Sequence, residues 1–396
     1  MEHQKKLYTD TNLLIAFGIT LVVVMGVTNI TPALPAMAQY FAIPYSSVTL
    51  VITVFTMPGI VLTPLLGIVA DRIGRKIIII PSLILFGITG IIMFFITDFT
   101  WLIILRFIQG MGVSALGAIN ATIIGDMFSG KDRTIAFGYN ASVLNIGTAA
   151  YPAIGGFLCI LGWNYPFLLS ALALVVAWFA IFHLHNPEPV TTLSLKRYFH
   201  AIANIIKSPY VIGLLSTTVL TFILLYGPII TYFPYIISYR FKGTAATIGL
   251  FMSLMSIVTA ITSSQLQILT KRYAEKNLIL YGFIGLCISF VIAGFAYNYF
   301  WLAIATIIGG VSNAINNPSL LSLLTAAAPA QYRGAIMSLN GMGLRIGQTV
   351  GPIIMAQLCA IVTVDKAFYT ISGLTLVIVI ALFSTLLSNR YCTLKR

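Results

Sequence analysis

Two arginines lie inside long apolar runs, where a guanidinium is hard to keep. Arg106 sits in Trp101-Leu-Ile-Ile-Leu-Arg106-Phe-Ile-Gln109-Gly110-Met-Gly112, and Arg345 lies deep in the eleventh apolar run. A charge held at membrane depth is expensive and normally faces a bundle interior or an aqueous cavity, so each is a functional candidate by default. The acids are Glu2, Asp10, Asp71, Asp98, Asp126, Asp132, Glu188, Glu275 and Asp365, and none maps to the middle of an apolar run. A carboxylate pair for acid–base chemistry is therefore missing, as is a buried acid that could exchange a cation for a proton. Cys159, Cys287, Cys359 and Cys392 show no CxxC or Cys/His spacing, so neither a zinc site nor a disulfide framework is expected. His183 and His185 close an apolar run and read as boundary residues. Two embedded arginines without an embedded acid tilt a cavity towards anionic, zwitterionic or neutral amphipathic solutes.

The elements that must carry these residues are set by composition. Of 396 residues, 59% are hydrophobic and 8% charged, against about 25% charged in an ordinary soluble domain. With a mean hydropathy of +0.99, a cytosolic enzyme, a disordered chain and a secreted disulfide scaffold are excluded. A helix needs about 20 apolar residues to cross a bilayer, and such runs occur at 12–37, 47–70, 77–97, 101–125, 134–160, 163–185, 209–236, 244–269, 277–297, 300–325, 334–361 and 366–388. The alternating pattern of a transmembrane barrel is missing. With twelve spans both termini share a side, and most of the 22 basic residues fall on it; only Arg240, Lys242 and Lys366 lie in the opposite loops. The positive-inside rule puts both termini in the cytoplasm. The net charge of +13 is then topological, and no nucleic-acid partner is expected.

A shift of 200 residues superimposes Arg72 on Arg272, Lys76 on Lys276, Trp101 on Trp301, Gly110 on Gly310, Arg133 on Arg333, Asn140 on Asn340, Gly147 on Gly347 and Pro152 on Pro352. One offset at matching points of the span pattern predicts two parallel six-helix repeats. The expected division is an N-terminal bundle over 1–185, a cytoplasmic linker over 186–208 and a C-terminal bundle over 209–396. Parallel halves place a solute site between them near mid-membrane.

The loop after the second span reads Gly67-Ile-Val-Ala-Asp71-Arg72-Ile-Gly74-Arg75-Lys76. It resembles the signature loop of the major facilitator superfamily, G-x-x-x-D-R-x-G-R-K, with every defining residue present. The resemblance covers essentially the whole chain and implies an all-α integral membrane protein of the major facilitator fold, close to the drug/proton antiporter branch. The chemistry suits a gate: Gly67 and Gly74 allow close helix approach and a tight turn, while Asp71 can accept from a helix N-terminus or pair with an arginine. By the same resemblance Asp126 and Arg133 complete that cytoplasmic gate; a solvated boundary pair is the alternative. The second half, Lys271-Arg272-Tyr-Ala-Glu275-Lys276, has moved the acid and lost the glycine, which predicts an asymmetric gate.

The run from Arg106 to Gly112 resembles the superfamily pattern R-x-x-Q-G-x-G, which implies proton coupling at Arg106. A side chain that snorkels outward is the other reading. Gly147-Thr-Ala-Ala-Tyr151-Pro152-Ala-Ile-Gly155-Gly156 is similar to the antiporter motif G-x-x-x-G-P-x-x-G-G, with Tyr151 in place of a glycine. Tyr151 is expected to turn towards the cavity. The twin in the eleventh span keeps Gly347, Gly351 and Pro352, and simple helix packing would also account for both sets. Arg345 can hold a carboxylate or phosphate in a bidentate pair, or be neutralised by carbonyls and Asn side chains. The other cavity candidates are Asn29, Thr31, Asn120, Asn140, Asn145, Tyr226, Asn313, Asn316, Asn317 and Asn340, several of which could be interhelical hydrogen bonds only.

The expectation is a monomeric, multi-pass secondary transporter of the plasma or inner membrane, with lipid and a small-molecule solute as partners. The resemblance implies export by alternating access, proton antiport and no cofactor beyond the proton gradient. An uncoupled uniporter or importer is the alternative that the missing acid favours. A lipid-modifying enzyme lacks its constellation here, and a binding-only scaffold gives no reason for the repeat.

Overall fold

The computed structural model describes residues 9–184, 208–327 and 333–387, and all regular structure among them is helical. Twelve helices are long and apolar enough to span a bilayer: α1 (Thr11–Tyr40), α2 (Tyr45–Gly67), α3 (Arg75–Phe94), α4 (Phe99–Met127), α5 (Gly130–Leu158), α6 (Tyr165–His183), α7 (Pro209–Arg240), α8 (Ala245–Ser264), α9 (Glu275–Phe295), α10 (Tyr299–Ala327), α11 (Ile336–Ile361) and α12 (Val364–Ala381). The helix of α2 continues to Ile73, where Gly74 at φ 103° turns the chain into α3. That angle lies in the left-handed region that favours glycine, so the tight turn expected of the signature loop is present. No described atom lies within 4 Å of where a Cβ on Gly67 would stand.

The chain forms two compact units, Met1–Thr192 with Gly243–Ser253, and Leu193–Lys242 with Leu254–Arg396. The first half of α8 thus packs with the first unit. In that unit a Cβ on Gly249 would stand 2.2 Å from the Pro152 carbonyl oxygen, and one on Gly156 would stand 2.4 Å from that of Ala245. Ser253 Oγ accepts from the Ala153 amide at 3.1 Å, next to the proline kink. These contacts make the small residues of the α5 motif a close-packed seam.

Within each unit similar contacts recur at or within two residues of the 200-residue offset. The α4 N-terminus is capped by Asp98, whose carboxylate accepts from the Trp101 amide at 3.1 Å, and the α10 N-terminus by Asn298, which accepts from Trp301 at 3.1 Å. Thr20 donates to Asn140 at 2.7 Å, tying α1 to α5, and Thr218 donates to Asn340 at 2.8 Å, tying α7 to α11. A Cβ on Gly110 would stand 2.1 Å from the Phe55 carbonyl oxygen, and one on Gly310 would stand 2.8 Å from that of Met255. The repeat is therefore carried by caps, interhelical hydrogen bonds and helix crossings, as well as by residue identities.

The second unit departs from its twin in α7. Its C-terminal part is π-helical over Leu225–Tyr232 and Ile236–Arg240; Pro228 in the first stretch and Pro234 in the α-helical turn between them remove two backbone donors. At its end Arg240 donates to the carbonyls of Ala293, Gly294 and Ala296, at 3.3, 2.9 and 3.0 Å, and pairs with Asp365 at the start of α12. A residue that topology assigns to a loop is instead a cap on α9.

Gly110→Ala is expected to lower the melting temperature of the purified protein, because a backbone oxygen cannot move aside and overpacking costs about 1–3 kcal/mol. Gly117→Ala is the control, since its Cβ would meet only Val23 at 3.9 Å. Equal melting by thermal denaturation in detergent would remove the crossing as a constraint.

Candidate functional site

The signature loop forms its contacts inside the first unit. Arg75, 7% exposed, reaches from the first turn of α3 to Asp126 at the end of α4, with Nη2 and Oδ2 2.8 Å apart. Lys76 donates to the carbonyls of Ile181 and Leu184 at 2.7 and 3.3 Å, closing the C-terminus of α6. A cation over the last carbonyls of a helix satisfies orphan acceptors and the dipole together. Arg133 turns to its own loop, Nε donating to the Phe128 carbonyl at 2.8 Å, and Arg72 is exposed. The Asp71 side chain lies outside the described part of the structure, as do the side chain of Arg333 and the whole of His185. Asp126 is therefore brought to Arg75, while the described bond of Arg133 belongs to its own turn.

Arg106 is fully buried and does not snorkel. Nε donates to the Val51 carbonyl at 3.0 Å, Nη2 to that of Gly26 at 3.0 Å, and Nη1 to Gln109 Oε1 at 2.7 Å. Its guanidinium carbon lies 4.0 Å from the centroid of the Phe55 ring, a cation–π contact that strengthens when dry. Gln109, one turn on, passes the network outward, donating to the Phe86 carbonyl and to Ser170 Oγ, both at 3.2 Å. One side chain and its neighbour thus join α1, α2, α3, α4 and α6. The glycines of this pattern have a packing role, since a Cβ on Gly112 would stand 2.9 Å from the Ser82 carbonyl oxygen.

Arg345 repeats the local spacing with a different outcome. Nη1 donates to Gln348 Oε1 at 3.1 Å, and Gln348 Nε2 donates to the Tyr226 hydroxyl at 2.9 Å. Gln348 is 6% exposed, whereas Arg345 and Tyr226 are partly buried. No backbone carbonyl and no carboxylate takes the other donors of Arg345 among the described residues. What brings α7 to α11 here is glycine. A Cβ on Gly347 would stand 2.5 Å from the Val219 carbonyl oxygen, one on Gly351 2.6 Å from that of Ile223, and one on Gly227 2.7 Å from that of Gly351. Gln348 lies between Gly347 and Gly351 in sequence, and the close crossing lets a short amide reach Tyr226. Sequence reasoning passed over Gln348; its three-residue spacing from Arg345, matching that of Gln109 from Arg106, was the available signal.

The Asn candidates divide. Asn29 donates to the Pro166 carbonyl at 2.8 Å and Asn120 to the Ala16 carbonyl and Thr20 Oγ1 at 3.0 and 2.8 Å. With the Asn140 and Asn340 bonds, these are interhelical ties inside single units. Thr31 bonds back to the Val27 carbonyl at 2.9 Å. Asn316 is fully buried, with neither amide atom partnered among the described residues. Asn145 and Asn313 are partly buried and Asn317 is exposed. Tyr151 is 7% exposed, with its ring near Gly147 one turn back, 3.4 Å from where a Cβ on that glycine would stand. The ring thus lies over the space that the missing side chain of Gly147 leaves.

Two units of membrane-length helices, built alike and carrying intramembrane polar side chains, have the architecture of a secondary transporter. The chain belongs to the Major Facilitator Superfamily, which it matches over residues 16–242 and 219–391. It is 26% identical to the bacillibactin exporter of Bacillus subtilis (strain 168), across 93% of this chain and 95% of that protein. It is 27% identical to multidrug resistance protein 1 of the same organism, across 94% and 93%. The solved nucleoside transporter NupG superimposes with a TM-score of 0.78 at 15% identity, across 96% of this chain and 99% of that one. The protein is a transporter, not an enzyme, and a multi-pass protein of the cell inner membrane, with a lipid environment and a small-molecule substrate.

The two arginines should separate on removal. Arg106→Leu leaves Gln109 Oε1 without its donor and is expected to lower stability by a few kcal/mol, since each buried group left unsatisfied costs about 1–3 kcal/mol. Arg345→Leu takes one donor from Gln348 Oε1 but also removes a charge that no described carboxylate balances, and is expected to cost less stability than Arg106→Leu. Thermal denaturation of the three purified proteins checks both, and equal destabilisation would erase the distinction.

Proposed function

We propose that this protein exports a small organic solute carrying an acidic group, or an amphipathic one, by alternating access, as a monomer with both termini in the cytoplasm. The observation that carries the reading is Arg345: a guanidinium well inside α11 whose one described side-chain bond is to a neutral glutamine, itself bonded to a tyrosine. A cation so placed attracts an anion and repels a lipophilic cation. Export is favoured by relatives named as an exporter and a multidrug resistance protein, and the orientation by the distribution of Lys and Arg.

Proton antiport is the driving force we assign, with the proton gradient in place of any cofactor. The acids available to it are Asp71 and Asp126 at the cytoplasmic ends of α2 and α4, and Arg75 beside Asp126 can tie the proton to the gate. Arg106 then serves coupling indirectly, by holding the helices that carry those acids. The absence of a mid-span acid from the sequence favours uncoupled uniport as the second reading.

Flux in proteoliposomes decides between them. With 1-naphthoate as the probe, a pH gradient of the antiport sense is expected to drive accumulation above equilibrium, and Asp71→Asn to abolish it while leaving insertion intact. Equilibration indifferent to the gradient would remove the antiport reading. Arg345→Ala should lower naphthoate flux by about tenfold or more, and Arg345→Lys by less, because lysine keeps the charge without the fork.

A further inference from the structure

Hydrogen-bond polarity around Arg345 is fixed by chemistry. A guanidinium has donors and no acceptor, so the atom of Gln348 facing Nη1 must be the carbonyl oxygen, which turns its NH2 towards Tyr226. The Tyr226 oxygen must then accept, at 2.9 Å, and its own proton is left to be given elsewhere. Every polar hydrogen that remains at the free edge of this cluster is a donor: Nε and Nη2 of Arg345 and the hydroxyl of Tyr226. Its one amide acceptor, Gln348 Oε1, is turned inward onto Arg345. No described side chain or carbonyl takes these donors.

We propose that Arg345 and Tyr226 form a donor-only fork that receives the carboxylate of the transported solute, with Gln348 as the residue that positions both. The inference rests on the anionic-solute reading and adds to it the residues and the chemical group recognised. A carboxylate has two oxygens and no proton, so it can occupy the guanidinium edge and the phenol together; a neutral amide presents its NH2 to a donor and loses one contact. Gln348 acts at one remove. It holds the guanidinium by Nη1, leaves the opposite edge open, and keeps the Tyr226 lone pair occupied so that the hydroxyl points its hydrogen outward. The fork is assembled from two helices of one unit, and its register depends on the Gly227, Gly347 and Gly351 crossing. Gly347, Gly351 and Pro352, singled out as a copy of an antiporter-like motif, thereby gain a role in α11 as the frame of a binding subsite.

Arg106 shows why this is a site and not only a buried arginine. It has the same Nη1 bond to a glutamine three residues on, but carbonyls from α1 and α2 take its other described bonds and a phenyl ring covers it. Arg345 has the amide and lacks the carbonyls.

The test is calorimetric titration of the full-length protein in detergent with 1-naphthoate and with 1-naphthamide, which match in shape and differ in charge. Wild type is expected to prefer the carboxylate by about tenfold or more, the scale of a charge-assisted bidentate contact. Tyr226→Phe, which keeps the ring, should weaken naphthoate by about tenfold, as loss of a hydrogen bond to a charged group does, and leave naphthamide unchanged. Gln348→Glu should abolish the preference, because its carboxylate neutralises Arg345 and draws the phenolic proton onto itself. A wild type that does not prefer naphthoate overturns the anionic-solute reading and the fork with it. A wild-type preference that survives intact in either variant overturns the fork and leaves the anionic-solute reading standing.

Discussion

The buried guanidinium of Arg106 is the constraint on which the first unit depends. A charge removed from water needs hydrogen-bonding partners on all sides or it costs several kcal/mol, and here helix carbonyls, an amide and a ring provide them. Those groups belong to four different positions in the chain, Gly26, Val51, Phe55 and Gln109. Satisfying one side chain therefore fixes where α1, α2 and α4 can lie, and Gln109 extends the requirement to α3 and α6. Glycines make this possible: a Cβ on Gly26 would stand 2.4 Å from the tip of Phe55, and Gly110 lies against the backbone of the same residue. In lipid, where apolar burial does not distinguish one helix arrangement from another, close backbone approach and polar ties of this kind carry the specificity.

At the α2–α3 turn and the helix ends beside it, polar contacts take over. Arg75 and Lys76 leave one tight turn in different directions, to Asp126 on α4 and to the last carbonyls of α6. Movement of the α2–α3 turn must therefore disturb two other helix ends. Glu275, at the position of Arg75, meets Ser322 at 2.5 Å, so the sign of the contact is reversed and its partner is uncharged. The asymmetry expected from the altered second loop thus extends to the contacts themselves.

Much of the architecture was legible in the sequence because span length and repeat offset are one-dimensional properties. The pairs Gly110 with Gly310 and Asn140 with Asn340, aligned by residue type alone, make equivalent contacts in the two units. The fate of each polar side chain was not legible in the same way. Arg106 and Arg345 carry the same i, i+3 glutamine, and what separates them is whether carbonyls of neighbouring helices face the guanidinium, which no local pattern encodes. Asn29 and Asn120, taken as cavity-lining, bond across helices because the nearest acceptor happens to be a carbonyl of α6 or α1. The π-helical stretch of α7 was hidden for another reason: Gly227, Pro228 and Pro234 announce irregularity but not its form.

The uncompensated charge of Arg345 has an electrical consequence. An anion seated against it cancels the charge locally, so a loaded carrier and an empty one differ by one elementary charge at membrane depth. Moving one such charge through 100 mV is worth about 2.3 kcal/mol. On the anion-export reading proposed above, the voltage across the membrane then bears on the return of the empty carrier more than on the loaded passage, and the cell's resting potential becomes an influence on turnover.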